Sequence, residues 1–394
     1  MMDSIFSDRI ADVPRSFIRE ILKVILDRSV ISFAGGLPNR DLFPLAALKE
    51  AAAKVFDIHG SDVLQYANSE GLLKLRQQIA ERYRTRHGFA ISPDNILITT
   101  GSQQGLDLMG KVIINEGDGL IIEEPGYLGA IQAFSLYKPV FHPVPVSDGG
   151  MDIPQLKRVF ITSSPKLIYT VPNFQNPSGI SYSAGNRREV AEVLHDQDLY
   201  LIEDDPYGEL RYAGEPQPSF RTMLPEQTVM LGTFSKTMVP GFRLGWIVAP
   251  DNLMEKLLIA KQAADLHTAN LLQYLTSQYL EDNDVEAHIR LICQQYGAQL
   301  EAMMTGLDEH CPHGATHTHP EGGMFIWVTL PEGMSSRKLL DYALEDKVIF
   351  VPGDPFYINR TDTNTMRLNF SCTDEATTRI GVERLGNAMR KLLQ

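Results

Sequence analysis

The sequence predicts an α/β fold, with a large and mainly parallel seven-stranded sheet and a smaller α+β region. Between about residues 95 and 250, short apolar runs alternate with helical stretches, which is the order of a layered α/β domain. Several of these runs lack the alternation of apolar and polar residues, as do strands covered on both faces. The length of 394 residues and the hydrophobic fraction of 43% suit a chain with a large core.

The predicted elements follow in order along the chain. A first helix is predicted over Arg15–Asp27, because its isoleucines and leucines recur at the spacing of one helical face. The segment Phe33–Asn39 has two glycines and a proline, which indicate a turn or a close approach of the backbone. The seven strands are predicted at Ile96–Thr99, Leu120–Glu123, Val140–Val146, Leu167–Val171, Tyr200–Glu203, Val229–Gly232 and Trp246–Ala249.

The pattern changes after about residue 285. A long helix is predicted through Arg290–Leu300 and a closing helix near Thr377–Leu393. Strands are predicted at Met324–Val328, Val348–Val351 and Met366–Phe370. This mixture of helices and strands indicates a smaller α+β domain.

Composition and charge exclude several classes of protein. Lysine and arginine number 36 and aspartate and glutamate 49, so the formal net charge is −13, which argues against extended nucleic-acid binding. The polar start lacks the apolar core of a signal peptide, so we expect none, and no run approaches the roughly 18 apolar residues of a membrane span. The three cysteines form no spaced framework, which fits a reducing compartment. We therefore expect a cytoplasmic protein without nucleic-acid or membrane partners.

Polar motifs follow the predicted strands, where ligands of such sheets gather. Thr99–Gly105 places small residues at the start of a helix, which favours an anion site and most naturally a phosphate site. A plain capped helix with Ser102 as the N-cap is equally compatible with this motif. Asn176 precedes a proline and is held extended, so its amide points in a fixed direction, although the motif alone also fits a simple turn.

Two further motifs carry charge. Asp204, Asp205 and Tyr207 follow an apolar strand, and adjacent carboxylates there need a cation or polar partner unless the turn is solvated. Lys236 comes just after another strand, and Arg243 follows it by seven residues. A partly desolvated lysine can lose its proton and attack a carbonyl, and an arginine can bind a phosphate with two hydrogen bonds.

Taken together, the motifs N-P-x-G, D-x-x-Y and S-K-x-x-x-P-G-x-R-x-G occur here in order. This set resembles the fold-type I pyridoxal-phosphate aminotransferases of class I/II, and most of all the branch of 2-aminoadipate and kynurenine aminotransferases. The resemblance extends over about residues 15 to 390. It implies a pyridoxal 5'-phosphate cofactor and a homodimer with shared active sites. It also implies a large cofactor-binding domain over residues 46–285 and a small domain formed by residues 1–45 and 286–394.

The resemblance implies a role for individual residues around the cofactor ring. Lys236 would hold the cofactor as a Schiff base and act as the catalytic acid and base. Asp204 would pair with the pyridine nitrogen, so that the ring serves as an electron sink. Asn176 and Tyr207 would hydrogen-bond the phenolate oxygen, and Tyr127 would stack on the ring face.

The resemblance also implies residues for the phosphate and the substrate. The phosphate would be held by Ser102, Gln103, Ser235 and Arg243, with help from Thr233 and from Tyr66 of the neighbouring subunit. Arg367 would bind the substrate α-carboxylate, with Gly36 and Asn176 beside it. Arg19 is a further candidate for the substrate side chain, although its place at the polar boundary of the first helix also fits a solvated face.

The function implied is transfer of an amino group from an amino acid to a 2-oxo acid, with 2-oxoglutarate as the expected acceptor and ping-pong kinetics. A lyase that uses the same cofactor, for β-elimination or C–S cleavage, is one alternative. A non-catalytic sensor domain is another. The donor is left open among 2-aminoadipate, aromatic and branched-chain amino acids. The histidines between His310 and His319 lack the spacing of a metal site, and we expect no metal there.

Overall fold

A computed structural model describes residues 5–11, 13 and 29–394 of the chain. The helix predicted over Arg15–Asp27 lies outside the described residues. The α/β class is confirmed, since a large, mainly parallel sheet lies between helices and a smaller mixed region follows it. Among the described residues, none of the helices combines the length and apolarity that crossing a lipid bilayer requires.

The strands and helices of the described residues are as follows. The strands are β1 Ile31–Ser32, β2 Ile96–Thr99, β3 Gly119–Glu124, β4 Val140–Ser147, β5 Gly150–Met151, β6 Pro165–Thr170, β7 Tyr200–Asp204, β8 Thr228–Thr233, β9 Gly245–Val248, β10 Thr316–His317, β11 Phe325–Thr329, β12 Val348–Ile349, β13 Val351–Pro352 and β14 Thr365–Asn369. The helices are α1 Asp8–Ala11, α2 Leu45–His59, α3 Leu73–His87, α4 Ser102–Ile113, α5 Leu128–Ser135, α6 Ile153–Thr162, α7 Ala184–Leu194, α8 Asp251–Ala264, α9 Asn270–Asp282, α10 Val285–His310, α11 Ser336–Glu345 and α12 Glu375–Leu392.

The large sheet has the strand order β2-β9-β8-β7-β6-β3-β4-β5. The central strands from β8 to β4 run parallel, whereas β9 is antiparallel to both of its neighbours and β5 is antiparallel to β4. The prediction of seven strands is therefore wrong by one. The eighth strand is the two-residue β5, which turns back through Gly149 and is too short to carry a detectable apolar run.

Burial explains why the central strands lack alternation. Every residue of β2 and of β8 is buried, as are four of the five residues of β7. Helices cover both faces, so side chains on either face meet apolar neighbours. The interiors of these strands are apolar, and their polar residues stand at the strand ends.

A second, four-stranded sheet has the order β10-β11-β14-β13 and is antiparallel throughout. A separate parallel pair joins β1 near the start of the chain to β12 near its end. The backbone N–H of Asn369 also donates to the carbonyl of Phe33 at 2.8 Å. These contacts fix the segment that follows β1 against β14, beside the carboxyl edge of the large sheet.

Candidate active site

A cleft of about 350 Å³ lies at the carboxyl ends of the parallel strands. It brings together residues at the ends of β2, β3, β6, β7 and β8 of the large sheet and in the loops after them, together with residues from the segment after β1 and from β14. Its lining contains most of the predicted site residues: Gly36, Ser102, Gln103, Tyr127, Asn176, Asp204, Tyr207, Thr233, Ser235, Lys236, Arg243 and Arg367.

Asp204 is the last residue of β7 and is only 2% exposed. Its Oδ2 accepts a hydrogen bond from the hydroxyl of Tyr169 at 2.8 Å, whereas its buried Oδ1 has no partner within the described part of the chain. Burial raises the pKa of Asp204 to about 7, and the Tyr169 hydrogen bond opposes that rise. The orphaned oxygen is suited to a donor that the chain itself does not supply.

Lys236 lies in the loop that follows β8. Its Nζ donates to the backbone carbonyl of Gly36 at 2.9 Å. Burial lowers the pKa of Lys236 to about 8, and the nearby positive charges of Arg367 and Arg243 lower it further. A lysine in this state is partly neutral near physiological pH, as a nucleophile or proton acceptor must be.

An anion cradle forms at the start of α4. Gly101 caps this helix with a φ of 74°, so the prediction that allowed Ser102 as the cap is wrong, and Ser102 is instead the first helical residue. A Cβ at position 101 would lie 2.3 Å from Nη2 of Arg243, so only glycine leaves room for the guanidinium. The helix N-terminus and the arginine thus approach the same space.

Hydroxyl groups complete this cradle. The Ser235 hydroxyl lies 2.9 Å from Thr233 Oγ1 and accepts a hydrogen bond from Nη1 of Arg243 at 3.5 Å. Gly245 keeps the neighbouring strand close, because a Cβ there would lie 2.6 Å from the backbone nitrogen of Ser102. Backbone N–H groups, hydroxyls and a guanidinium are the donors that a phosphate requires.

Asn176 connects two of the predicted contacts. Its Nδ2 donates to the Tyr207 hydroxyl at 3.2 Å, and its Oδ1 accepts from Nη1 of Arg367 at 2.9 Å. Arg367 also donates through Nη2 to the carbonyl of Ala34 at 2.9 Å, and its buried Nε has no partner among the described residues. Burial lowers the pKa of Arg367 to about 10, so it remains charged at neutral pH.

The remaining predicted residues divide into those in the cleft and those outside it. Tyr127 is half-buried in the cleft, and a Cβ at Gly129 would lie within 2.7 Å of its ring, so that glycine gives the ring its space. Gln103 donates to the carbonyl of Gly129 at 2.8 Å and so connects α4 to α5. Tyr66 is 80% exposed and packs edge-on against His267, away from the cleft of its own chain. Arg19 lies outside the described residues.

Two residues that shape the site have no role of their own in the sequence predictions. Tyr169 is fully buried in β6 and lines the cleft. The sequence pattern around it predicts a buried strand, so it indicates the tyrosine only as a residue of the core. Gly101 belongs to a motif that sequence reasoning did single out, but only the structure assigns it the space beside Arg243. The hydroxyl of a tyrosine in a strand that is covered on both faces needs a buried hydrogen-bond partner. That requirement is the signal in the sequence that could have identified Tyr169.

The histidines near residue 317 have local partners. Nε2 of His317 lies 3.0 Å from Oδ1 of Asp308, and the rings of His317 and His319 are 4.7 Å apart. Among the described residues, no group of three or more histidine, cysteine, aspartate or glutamate side chains is arranged to hold a metal ion.

Comparison with known proteins decides the family. The family model for aminotransferase class I and II matches residues 28–385. The chain belongs to this family. An aromatic-amino-acid aminotransferase of Thermococcus litoralis is 40% identical to this aminotransferase over an alignment of 392 residues that covers 98% of this chain and 94% of the relative.

Two solved structures are similar over their whole length. One is a kynurenine aminotransferase of Pyrococcus horikoshii, in complex with PMP and kynurenine, with 39% identity and a TM-score of 0.95 over 100% of this chain and 98% of that one. The other is LysN, an α-aminoadipate aminotransferase of Thermus thermophilus complexed with N-(5'-phosphopyridoxyl)-L-leucine, with 38% identity and a TM-score of 0.93 over 100% and 99%. The predicted branch is thereby confirmed, and the enzyme is a transaminase that uses pyridoxal 5'-phosphate.

The cleft of this aminotransferase fits that cofactor. The orphaned Oδ1 of Asp204 offers an acceptor to a protonated ring nitrogen, and the cradle at Gly101 offers donors to a phosphate. Lys236 lies in the same cleft with a lowered pKa. Each of these features is costly or unexplained without a partner of the matching chemistry.

Proposed function

We propose that the enzyme transfers the α-amino group of an amino acid to 2-oxoglutarate in two half-reactions, with ping-pong kinetics. The observation that carries this proposal is the meeting of Lys236, Asp204 and Arg367 in one cleft, each with an altered pKa. Perturbed groups that converge in a cleft are typical of catalytic sites.

We assign the cofactor contacts by this geometry. Lys236 would hold the cofactor covalently, Asp204 would pair with the ring nitrogen, and Tyr127 would stack on the ring. Asn176 and Tyr207, already hydrogen-bonded to each other, would share the phenolate oxygen. The phosphate would lie between the start of α4, with Ser102 and Gln103, and the side chains of Ser235 and Arg243. Pyridoxal phosphate supplies an electron sink that stabilises negative charge at the substrate Cα.

The chain's own groups supply binding and proton transfer. Arg367 binds the α-carboxylate; its Nη atoms are held by Asn176 and Ala34, which fixes the plane of the guanidinium. The backbone at Gly36 closes that side of the cleft. Lys236, once its Nζ is free, accepts the proton from the substrate Cα and returns it later in the reaction, for which a pKa of about 8 is well matched.

We also propose a homodimer, two domains and a cytoplasmic location. Tyr66, which is 80% exposed, supports the dimer because it is available to a neighbouring subunit's phosphate site. The pairing of β1 with β12 supports a small domain of residues 1–45 and 286–394 beside a large domain of 46–285. The three unpaired cysteines fit a reducing compartment. Analytical ultracentrifugation tests the dimer, and cell fractionation tests the location.

The central experiment is chemical trapping at Lys236. Borohydride treatment of the holoenzyme should fix the cofactor on the single peptide that contains Lys236, as read by mass spectrometry. Lys236→Ala should bind cofactor without trapping and should lose transamination, because the proton carrier is gone. A label on another peptide, or near-normal turnover by Lys236→Ala, would overturn the assignment.

Product analysis defines the substrates. A panel of aromatic, branched-chain and 2-aminoadipate donors is incubated with 2-oxoglutarate, and the 2-oxo acids and glutamate formed are measured. Aromatic amino acids, kynurenine and 2-aminoadipate are placed first because they are the amino acids that the relatives' names mention. Release of ammonia in place of glutamate would favour a lyase instead.

A further inference from the structure

Tyr169 belongs to β6 and lines the cleft, but the proposed function gives it no role. It is fully buried in β6, next to β7, and its register partner across the two strands is Ile202. Asp204 lies two residues beyond Ile202 and therefore on the same face of the sheet, so the tyrosine reaches it diagonally. The hydroxyl donates to Oδ2 of Asp204 at 2.8 Å.

We propose that Tyr169 is a positioning residue for the reaction: its hydroxyl occupies Oδ2 of Asp204, so that Oδ1 is the oxygen presented to the ring nitrogen of the cofactor. This inference rests on the proposed function of Asp204. A carboxylate with one anchored oxygen has a single orientation toward the cleft, whereas an unanchored one rotates about its last bond.

The surroundings of Asp204 make this hydrogen bond important for its charge. Asp205 and Glu123 are the neighbouring carboxylates, and burial together with their charges favours the neutral form of Asp204. The Tyr169 hydrogen bond is the contribution that favours the ionised form. Within the described residues it is also the one hydrogen bond that Asp204 receives through its side chain. Removing the hydroxyl therefore removes both the anchor and the support for the charge.

The chain contains a matched tyrosine for comparison. Tyr182 is also fully buried, and its hydroxyl donates to Oε1 of the buried Glu123 at the same distance of 2.8 Å. Glu123 keeps two other donors, the backbone N–H of Val171 and the side-chain amide of Gln175. Tyr182 does not line the cleft. The two phenylalanine variants thus remove the same atom from similar surroundings, and only Tyr169→Phe removes a hydrogen bond from Asp204.

The experiment compares Tyr169→Phe with Tyr182→Phe as purified holoenzymes. The first readout is the pH midpoint of the bound cofactor's visible absorption band. For Tyr169→Phe we expect this midpoint to rise by about one unit. The reason is that a ring no longer kept positively charged by Asp204 withdraws less charge from the nitrogen of Lys236. For Tyr182→Phe we expect the wild-type midpoint.

The second readout is steady-state kinetics. Tyr169→Phe should lower kcat about tenfold to a hundredfold, which is the cost of losing one hydrogen bond to a charged group. The KM for the amino donor should change little, because the carboxylate contacts of Arg367 remain. Tyr182→Phe should change neither constant appreciably, although both variants should lose thermal stability.

The outcomes separate this inference from the proposed function. A wild-type enzyme without a cofactor trapped at Lys236 would refute the proposed function itself. With trapping intact, an unshifted midpoint and unchanged kcat in Tyr169→Phe would overturn the role of Tyr169 alone. Equal shifts in both variants would also overturn it, because they would indicate a general response to a lost buried hydroxyl.

Discussion

Two buried carboxylates lie near the ends of β3 and β7, the parallel strands on either side of β6, and they differ in their hydrogen bonds. Glu123 in β3 and Asp204 in β7 are each 2% exposed, and burial raises the pKa of each to about 7. Glu123 receives hydrogen bonds on both oxygens, from Val171, Gln175 and Tyr182. Asp204 receives one on Oδ2, and its Oδ1 has no partner in the described part of the chain.

This difference separates a carboxylate whose two oxygens are both hydrogen-bonded within the fold from one that keeps an unpaired oxygen in the cleft. Through Gln175, Glu123 fixes the loop that carries Asn176: the Gln175 amide donates to Glu123 and to the carbonyl of Pro125, and accepts from the backbone of Ser178. All of these bonds are internal, so the cluster is complete. Burial and an elevated pKa are common to both carboxylates; the unpaired atom is what indicates function.

The largest effect is expected when the carboxylate of Asp204 becomes an amide. Asp204→Asn keeps an acceptor for Tyr169 but removes the charge that we propose for the ring nitrogen, so transamination should fall about a hundredfold or more. The folded cofactor-free protein should be as stable as wild type or more so, because a buried orphan charge is gone. Steady-state assays and thermal unfolding measure the two quantities.

Activity close to wild type in Asp204→Asn would show that transamination does not need the charge of Asp204. A large loss of stability in the cofactor-free variant would show that this carboxylate, like Glu123, stabilises the fold. Either result would contradict the proposed role of Asp204. Retained binding of cofactor with weak turnover is the expected combination, because the phosphate cradle and Lys236 are unchanged.

The same chemical change at Glu123 should have the opposite outcome. Glu123→Gln places an amide nitrogen where the neighbours Val171 and Gln175 also present donors, so two donors face each other in a buried site. We expect the free energy of unfolding to fall by about 1–3 kcal/mol. The pH midpoint of the cofactor's absorption band should change little, because Asp204 and Lys236 keep their hydrogen bonds and the charge of Glu123 is the smallest of the influences on the pKa of Asp204. Denaturant unfolding and absorption titration measure the two quantities.

A shifted absorption midpoint in Glu123→Gln would show that the loop behind Asn176 is coupled to the cofactor more closely than its hydrogen bonds indicate. Unchanged stability would show instead that the completed cluster around Glu123 contributes little to the fold. Asp204→Asn, measured in parallel, is the control for the substitution of a buried carboxylate by an amide.

The sequence predicted the fold class and most of the cleft. Apolar runs without alternation located the central strands, and the family motifs located Lys236, Asp204, Asn176 and Arg243. The structure brings these residues into one cleft because each lies near a strand end that hydrophobicity defines, and their roles in catalysis are proposals. The resemblance was needed for Arg367, because a single arginine within a strand has no local signal of its own.

The orphaned oxygen of Asp204 and its tyrosine partner could not be predicted. Tyr169 and Asp204 are separated by 35 positions, and only the pairing of β6 with β7 brings them within hydrogen-bond distance. The strand β5 was missed because a two-residue pairing depends on the turn at Gly149 and on the partner strand β4 rather than on its own composition. Contacts set by register and by turns are tertiary properties, and local patterns do not contain them.

The smallest effect lies in the pH dependence of stability, and it completes the comparison. Burial raises the pKa of Glu123 and of Asp204 to about 7, far above the values of 4.5 and 3.8 that are normal for these groups. Between the normal and the raised pKa, the folded protein holds a proton that the unfolded chain has released, so stability falls as the pH rises. From pH 6 to pH 7 each group should cost the cofactor-free protein roughly 1 kcal/mol.

Cofactor should separate the two contributions. A protonated ring nitrogen beside Asp204 lowers the pKa of that carboxylate, so its share of the pH dependence should disappear in the holoenzyme, whereas the share of Glu123 should persist. Guanidinium unfolding at pH 6 and 7 measures this, with Asp204→Asn as the control that lacks the Asp204 share at the outset. If the wild type and Asp204→Asn lose stability equally over this range without cofactor, then Asp204 is already ionised there, and its orphaned oxygen is solvated rather than reserved for a ligand.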